Sequence, residues 1–184
     1  ADRLARQHAA GHHMTGNRSS RSVVLRGLQP GDLGLVVHRQ AILYAREYGW
    51  NSDYEALVAR IVADFRQSFD PAREAAWIAD IDGRMVGSVF LVRTQDPGTG
   101  KLRLLYVEPE VRGLGVGRML VDACIERARS VGYGRLELWT NSVLTSARRV
   151  YERAGFTRCG PVLDYPDSKW SVFYEKNIAA SVAA

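Results

Sequence analysis

Three glycines alternate with other residues in Arg112-Gly113-Leu114-Gly115-Val116-Gly117, directly ahead of Arg118 and of a stretch in which Met119, Leu120, Cys124, Ile125 and Ala128 form a helical stripe. Glycine lets a backbone come close to an anion, and the free amides at a helix start point at it with the helix dipole behind them. A turn of this kind is a cradle for a phosphate or pyrophosphate, to which Arg112 and Arg118 add positive charge. Other phosphate motifs fit poorly. A dinucleotide fingerprint needs a glycine three positions beyond Gly115, where Arg118 stands, and an acidic residue at the end of the next strand, where Thr140-Asn141 stands. The Gly-Lys-Ser/Thr of a nucleotide triphosphatase is missing. A plain tight connection would need one glycine, and three of them remove helix-stabilising side chains from a helix start.

The elements that must position this turn follow from apolar periodicity. Val23 to Arg26 reads as a short strand stopped by Gly27 and Pro30-Gly31. Asp32 is expected to cap a helix carrying Leu33, Val36, Val37, Ile42, Leu43 and Tyr44 and ending at Gly49. Ser52-Asp53-Tyr54-Glu55 has capping-box spacing, and Leu57, Val58, Ile61, Val62 and Phe65 give the helix it opens an apolar face, with Pro71 closing the helical region. From Ala75 to Thr94 the period changes, and Asp82-Gly83 predicts a tight antiparallel hairpin. Leu102 to Val107 is a strand ending at Glu108-Pro109. After the glycine turn and its helix, Leu136 to Thr140 is a second strand parallel to it through a right-handed crossover. A helix from Val143 to Ala154 and two strands, Thr157 to Leu163 and Trp170 to Asn177, around Tyr165-Pro166-Asp167 complete the order.

Composition bounds the rest. A chain of 184 residues, 46% hydrophobic and 24% charged, is the size of one globular domain. Residues 1–21 read as a leader or linker, 22–178 as the domain and 179–184 as a tail. With no apolar run near the roughly 20 residues of a membrane span, and no signal-peptide order at the start, the cytoplasm is the expected location and no membrane partner is expected. Cys124 and Cys159 lack metal or disulfide spacing and are expected to be small buried hydrophobes; no metal site is expected. His8, His12 and His13 crowd the first residues, leaving His38 in the body of the chain. The net charge of +5 is spread, without a basic arm for nucleic acid, and an anionic ligand accounts for local basicity.

Val107 to Gly117 resembles the coenzyme A signature of the GNAT superfamily of N-acetyltransferases, Arg/Gln-x-x-Gly-x-Gly/Ala, with Arg112, Gly115 and Gly117 at its defining positions. Asn141 followed by Ala147-x-x-x-Tyr151-x-x-x-Gly155-Phe156 resembles the superfamily's helix beside the cofactor thiol, and the order of elements agrees from about Val23 to Ile178. The resemblance implies a mixed α/β fold: a mostly antiparallel central sheet, helices on both faces, and two parallel strands splayed apart to admit the pantetheine arm. It implies acetyl-CoA as cofactor, bound by Tyr106, Val107, Arg112, Gly113, Leu114, Gly115, Val116, Gly117, Arg118, Asn141, Ala147 and Tyr151. Amides near Tyr106 and Val107 would receive the oxyanion, and Tyr151 would be the acid for the leaving thiolate. The expected reaction is direct transfer to a primary amine, of a small molecule or a protein, in a ternary complex. Candidate bases are Glu47, Glu108 and Glu137, or an ordered water chain. Tyr44, Tyr48 and Trp50 either line the acceptor pocket or bury a helix end. The stretch from Tyr44 to Phe65 also resembles the acetyltransferase half of bacterial MarR-type regulator fusions. The alternatives kept open are an acyl-CoA sensor without turnover and a homodimer.

Overall fold

A computed structural model of the chain describes residues 22–160 and 171–179. The elements are β1 (Val24–Arg26), α1 (Asp32–Tyr48), α2 (Ser52–Gln67), β2 (Ala75–Ile81), β3 (Arg84–Arg93), β4 (Thr99–Val107), a short 3-10 turn (Pro109–Val111), α3 (Val116–Ser130), β5 (Arg135–Asn141), α4 (Thr145–Arg153), β6 (Thr157–Gly160) and β7 (Ser171–Asn177). The strands form one sheet in the order β1-β2-β3-β4-β5-β7-β6, antiparallel throughout except between β4 and β5.

Both faces of the sheet are covered, which explains why β3 is buried continuously from Met85 to Leu91 instead of alternating with polar residues. Side chains leave a strand on alternate faces. Phe90 accordingly packs with Val36, Leu43, Val58, Val62 and Phe65 of α1 and α2, whereas Val89 and Leu91 pack with Leu120, Val121, Cys124 and Ala128 of α3. The α3 side also takes in Tyr151 of α4.

Several local expectations need correction. Asp32 is the first residue of α1 rather than its cap; Gly31 precedes the helix, and the Asp32 carboxylate instead accepts from the Gln29 amide and from Arg26. The cap of α2 is Asn51, whose side chain accepts from the Asp53 amide, so Ser52 lies inside the helix. Strand β4 begins at Thr99, inside the predicted turn. Cys124 is buried but Cys159 is exposed, because β6 lies at the sheet edge. The turn at Tyr165-Pro166-Asp167, Trp170, residues 161–163 of the predicted strand, the 1–21 leader and residues 180–184 of the tail lie outside the described residues.

Two irregularities shape the centre. The parallel pairing of β4 with β5 covers only Thr99, Gly100 and Lys101 against Arg135, Leu136 and Glu137. Beyond Lys101 the strands diverge while both continue, to Val107 and Asn141. On its other edge β4 carries a bulge: Ser88 pairs with Tyr106 but Phe90 with Arg103, so two residues of β4, Leu104 and Leu105, oppose Val89 alone. Leu104 has a φ of 52°, in the left-handed region that β-sheet residues avoid. Its carbonyl is held by the buried Ser88 hydroxyl at 3.0 Å.

Candidate active site

The splay of β4 from β5 opens two cavities that meet at its centre. One, of about 340 Å³, lies over the glycine turn and is lined by Tyr106, Val107, Arg112, Gly113, Gly115, Val116, Gly117 and Arg118, with Ala147, Arg149, Val150 and Arg153 of α4. The other, of about 480 Å³, lies between α1, α2 and the strands, and its wall includes Gln40, Trp50, Asp53, Tyr54, Lys101, Arg103, Trp139, Asn141 and Tyr151. Tyr44, Leu105 and Leu144 line both, which makes them the boundary.

The first cavity suits a polyanionic ligand. Among the described residues its lining contains four arginines and no acidic side chain. Gly115 caps α3 at φ 83°, a conformation an L side chain adopts only with strain, and the first-turn amides of α3 follow it. Arg112 is tied to Glu47 at 2.8 Å, and its Nε donates to the Val107 carbonyl. Arg118 is tied to Asp122 at 2.7 Å. The guanidinium groups of Arg149 and Arg153, one turn apart on α4, have no side-chain partner among the described residues. Leu114 departs from the expected set: it is 68% exposed and lines neither cavity, since the turn directs it outward. Asn141 also departs, lining the second cavity, where its side chain accepts from the Val143 amide ahead of α4.

Strand geometry decides which amides face the gap. The Glu108 amide donates to Val86 of β3, and backbone groups alternate sides along a strand. The Tyr106 amide is therefore turned toward β3 and that of Val107 faces the gap; at the bulge, the Ser88 hydroxyl holds the Leu104 carbonyl toward β3, so the opposite end of that trans peptide, the Leu105 amide, is turned away from β3. Of the amides near Tyr106 and Val107, that of Tyr106 thus lies away from the gap, and the bulge brings Leu105 to the boundary of the two cavities.

Tyr151 is buried with its ring 6.0 Å from Phe156, and it lines the second cavity. Its hydroxyl makes no hydrogen bond to a described residue. Burial, with a smaller contribution from Tyr44, pushes its pKa well above that of a free phenol, so it is protonated at neutral pH. Tyr44 is raised in the same direction, again by burial first.

The carboxylates expected as bases are all engaged. Glu108 is buried, accepts Arg39 Nε and Nη2 at 2.6 and 3.0 Å, also accepts the Tyr106 hydroxyl, and lines neither cavity; it anchors α1 to β4. Glu137 is paired with Lys101 at 2.8 Å, and Glu47 with Arg112. The carboxylate that does line the second cavity is Asp53, missed because in the sequence it reads as part of a helix cap. Of the aromatic group, Trp50 and Tyr44 line the second cavity while Tyr48 lies against the first; the rings meet edge-to-face or tilted with centroids 5.2 to 5.8 Å apart, and Tyr54 and Trp139 join the wall. His38 is exposed. Among the described residues there is no cluster of three or more His, Cys, Asp or Glu able to hold a metal, and no helix long and apolar enough to cross a membrane.

The family model described as "Acetyltransferase (GNAT) family" matches residues 40–156, from the buried glutamine of α1 to Phe156 just past α4, and so across both cavities. The chain belongs to the GNAT family of acetyltransferases. Acetyl-CoA is the acetyl donor of that family, and the first cavity, with four arginines around the glycine turn, suits its anionic phosphates. Among GNAT relatives, the chain is 36% identical over 91 residues to mycothiol acetyltransferase of Beutenbergia cavernae, covering 48% of this chain and 30% of that one. It is 34% identical over 95 residues to N-acetylaspartate synthetase of Danio rerio, covering 52% and 34%. The chain thus spans about a third of the length of these relatives. A Salmonella typhimurium acetyltransferase structure solved with its cofactor acetyl-CoA matches the fold with a TM-score of 0.68 at 18% identity, covering 88% of this chain and 96% of that one. The resemblance to the acetyltransferase half of regulator fusions finds no support among these matches.

Proposed function

We propose that the chain transfers an acetyl group from acetyl-CoA to a primary amine by direct attack within a ternary complex. The observation that carries this reading is the pair of cavities meeting at Tyr44, Leu105 and Leu144, which would let a donor thioester and an acceptor nitrogen approach without a covalent relay. The name of the zebrafish relative, which specifies an N-acetyl product, supports transfer to nitrogen. A cysteine relay has no candidate: Cys124 is sealed in the α3 core, where burial pushes its thiol far up, and Cys159 lies on β6 in neither cavity.

When acetyl-CoA is bound, it supplies an activated acyl carbon; the amine nitrogen bonds to that carbon, the carbon–sulfur bond breaks, and the thiolate departs. The chain's own groups serve three needs. The gap-facing Leu105 amide donates to the developing oxyanion in a water-poor site, where such a donor is worth most. The Tyr151 hydroxyl donates to the departing sulfur. A phenol whose pKa is raised by burial holds its proton more tightly than a thiol of about 8.5, so hydrogen-bond donation to the thiolate, rather than complete transfer, is its contribution. The amine, at a pKa near 10.4, is neutral in about one molecule in a thousand at pH 7.4, and with Glu47, Glu108 and Glu137 engaged its proton passes to solvent in the second cavity, beside Asp53.

The test is thiol release from acetyl-CoA across a panel of primary amines. Release that requires added amine, with a rate rising about tenfold per pH unit below the amine's pKa, is expected. Tight acetyl-CoA binding with no thiol release from any amine would make the chain an acyl-CoA-binding module instead.

A further inference from the structure

The second cavity holds a polar group that neither the fold nor the proposed chemistry uses. Gln40 is 1% exposed and lies in its wall. Its Oε1 accepts the Tyr54 hydroxyl at 3.0 Å, while its Nε2 has no hydrogen-bond partner among the described residues. Tyr54 is itself packed against Trp50 and Tyr44, with ring centroids 4.7 and 5.2 Å away, which fixes the hydroxyl that the carboxamide oxygen meets. A buried donor left unpaired is costly, whereas one met by a ligand oxygen is both satisfied and selective.

The position of Gln40 says which part of a ligand it would meet. Gln40 and Tyr44 are four residues apart on one face of α1, just over one turn or about 6 Å along the axis. Tyr44 belongs to the boundary between the cavities, so a molecule with its nitrogen there extends past Tyr44 toward Gln40. Lys101, on the same wall, is paired with Glu137 and lies 4.1 Å from the centre of the Trp139 ring.

We propose, resting on the transferase reading above, that the acceptor is an amine that also carries a carbonyl or carboxylate oxygen, received by Gln40 Nε2, on a body flat and apolar enough to lie between Trp50, Tyr54 and Trp139. Gln40 is then a specificity-determining residue: it touches the acceptor away from the reacting nitrogen and discriminates by whether the oxygen is present.

Two amines that differ by one carboxamide, phenylalaninamide and 2-phenylethylamine, test this directly. Each is titrated into the coenzyme A-loaded protein and followed by tryptophan fluorescence, since Trp50 and Trp139 line the cavity. Binding of the carboxamide about ten times tighter than the plain amine is expected, with the preference abolished in Gln40→Leu and in Gln40→Glu, and with acetyl-CoA affinity unchanged. Gln40→Glu preserves the shape and the acceptor for Tyr54, so it decides the matter if the leucine variant does not fold. Equal binding of the two amines by the wild type, a preference that survives in Gln40→Glu, or no binding of either amine at millimolar concentration overturns the proposal. Thiol release measured alongside separates the two readings. Selective binding without thiol release upholds Gln40 and removes the transferase reading; equal turnover of both amines upholds the transferase and removes Gln40.

Discussion

Replacing Gly115 tests the anion cradle, and the structure separates its two consequences. Gly115 sits at φ 83° with nothing within 4 Å of the place a Cβ would occupy, so the folding cost is backbone strain alone, about 1–2 kcal/mol. Aspartate there adds a charge at the start of α3, and the helix dipole returns about 0.3–1 kcal/mol. The net loss is about 1 kcal/mol, or roughly 2–4 °C in melting temperature for a domain of this size. The effect on ligand binding is far larger. A carboxylate about 4 Å from a phosphate charge repels it by about 1 kcal/mol at the dielectric of water and about 4 kcal/mol at the value typical near a protein surface. Acetyl-CoA affinity should therefore fall roughly five- to a thousandfold in Gly115→Asp, and the loss should shrink as salt rises. Gly115→Asn supplies the control: it has the same shape, tolerates the left-handed region and carries no charge. Calorimetric titration of acetyl-CoA should rank wild type first, Asn within a few-fold and Asp far below. Equal affinity of Asp and wild type would show that the turn is not the phosphate site. Equal losses in Asn and Asp would show that the glycine serves shape and that the electrostatic account is wrong.

Tyr151→Phe should lower kcat by roughly 10²- to 10⁴-fold with acetyl-CoA affinity nearly unchanged, which steady-state rates and a titration measure separately. Arg149→Ala should weaken acetyl-CoA binding about three- to tenfold and flatten its salt dependence, because that guanidinium has no side-chain partner among the described residues to satisfy first. Asp32→Asn should lower stability at pH 7 by about 2 kcal/mol. The folded-state pKa of Asp32 is held below the usual value, chiefly by Arg26, so its contribution is complete above about pH 3.9 and is lost as pH falls through the folded value. Denaturant melts of wild type and variant should accordingly converge below pH 4.

Local pattern determined a great deal. Apolar periodicity placed the four helices and the order of the strands, and Asp82-Gly83 marked the hairpin, because each depends on residues a few positions apart. The cradle was legible for the same reason: its glycines, its arginines and the helix behind it are contiguous in the chain. Tertiary structure alone decided how the site is assembled. That β4 and β5 part after Lys101 depends on two strands more than thirty residues apart in the chain. The bulge at Leu104 lies in an unbroken apolar run with no glycine to betray it, and it shifts the gap-facing amide to Leu105. The engagement of the carboxylates is not legible in the sequence because their partners are distant: Arg39 reaches Glu108 across 69 positions, and Arg112 reaches Glu47 across 65. A glutamate's chemistry depends on the charge placed beside it by folding, and spacing along the chain carries no record of that neighbour.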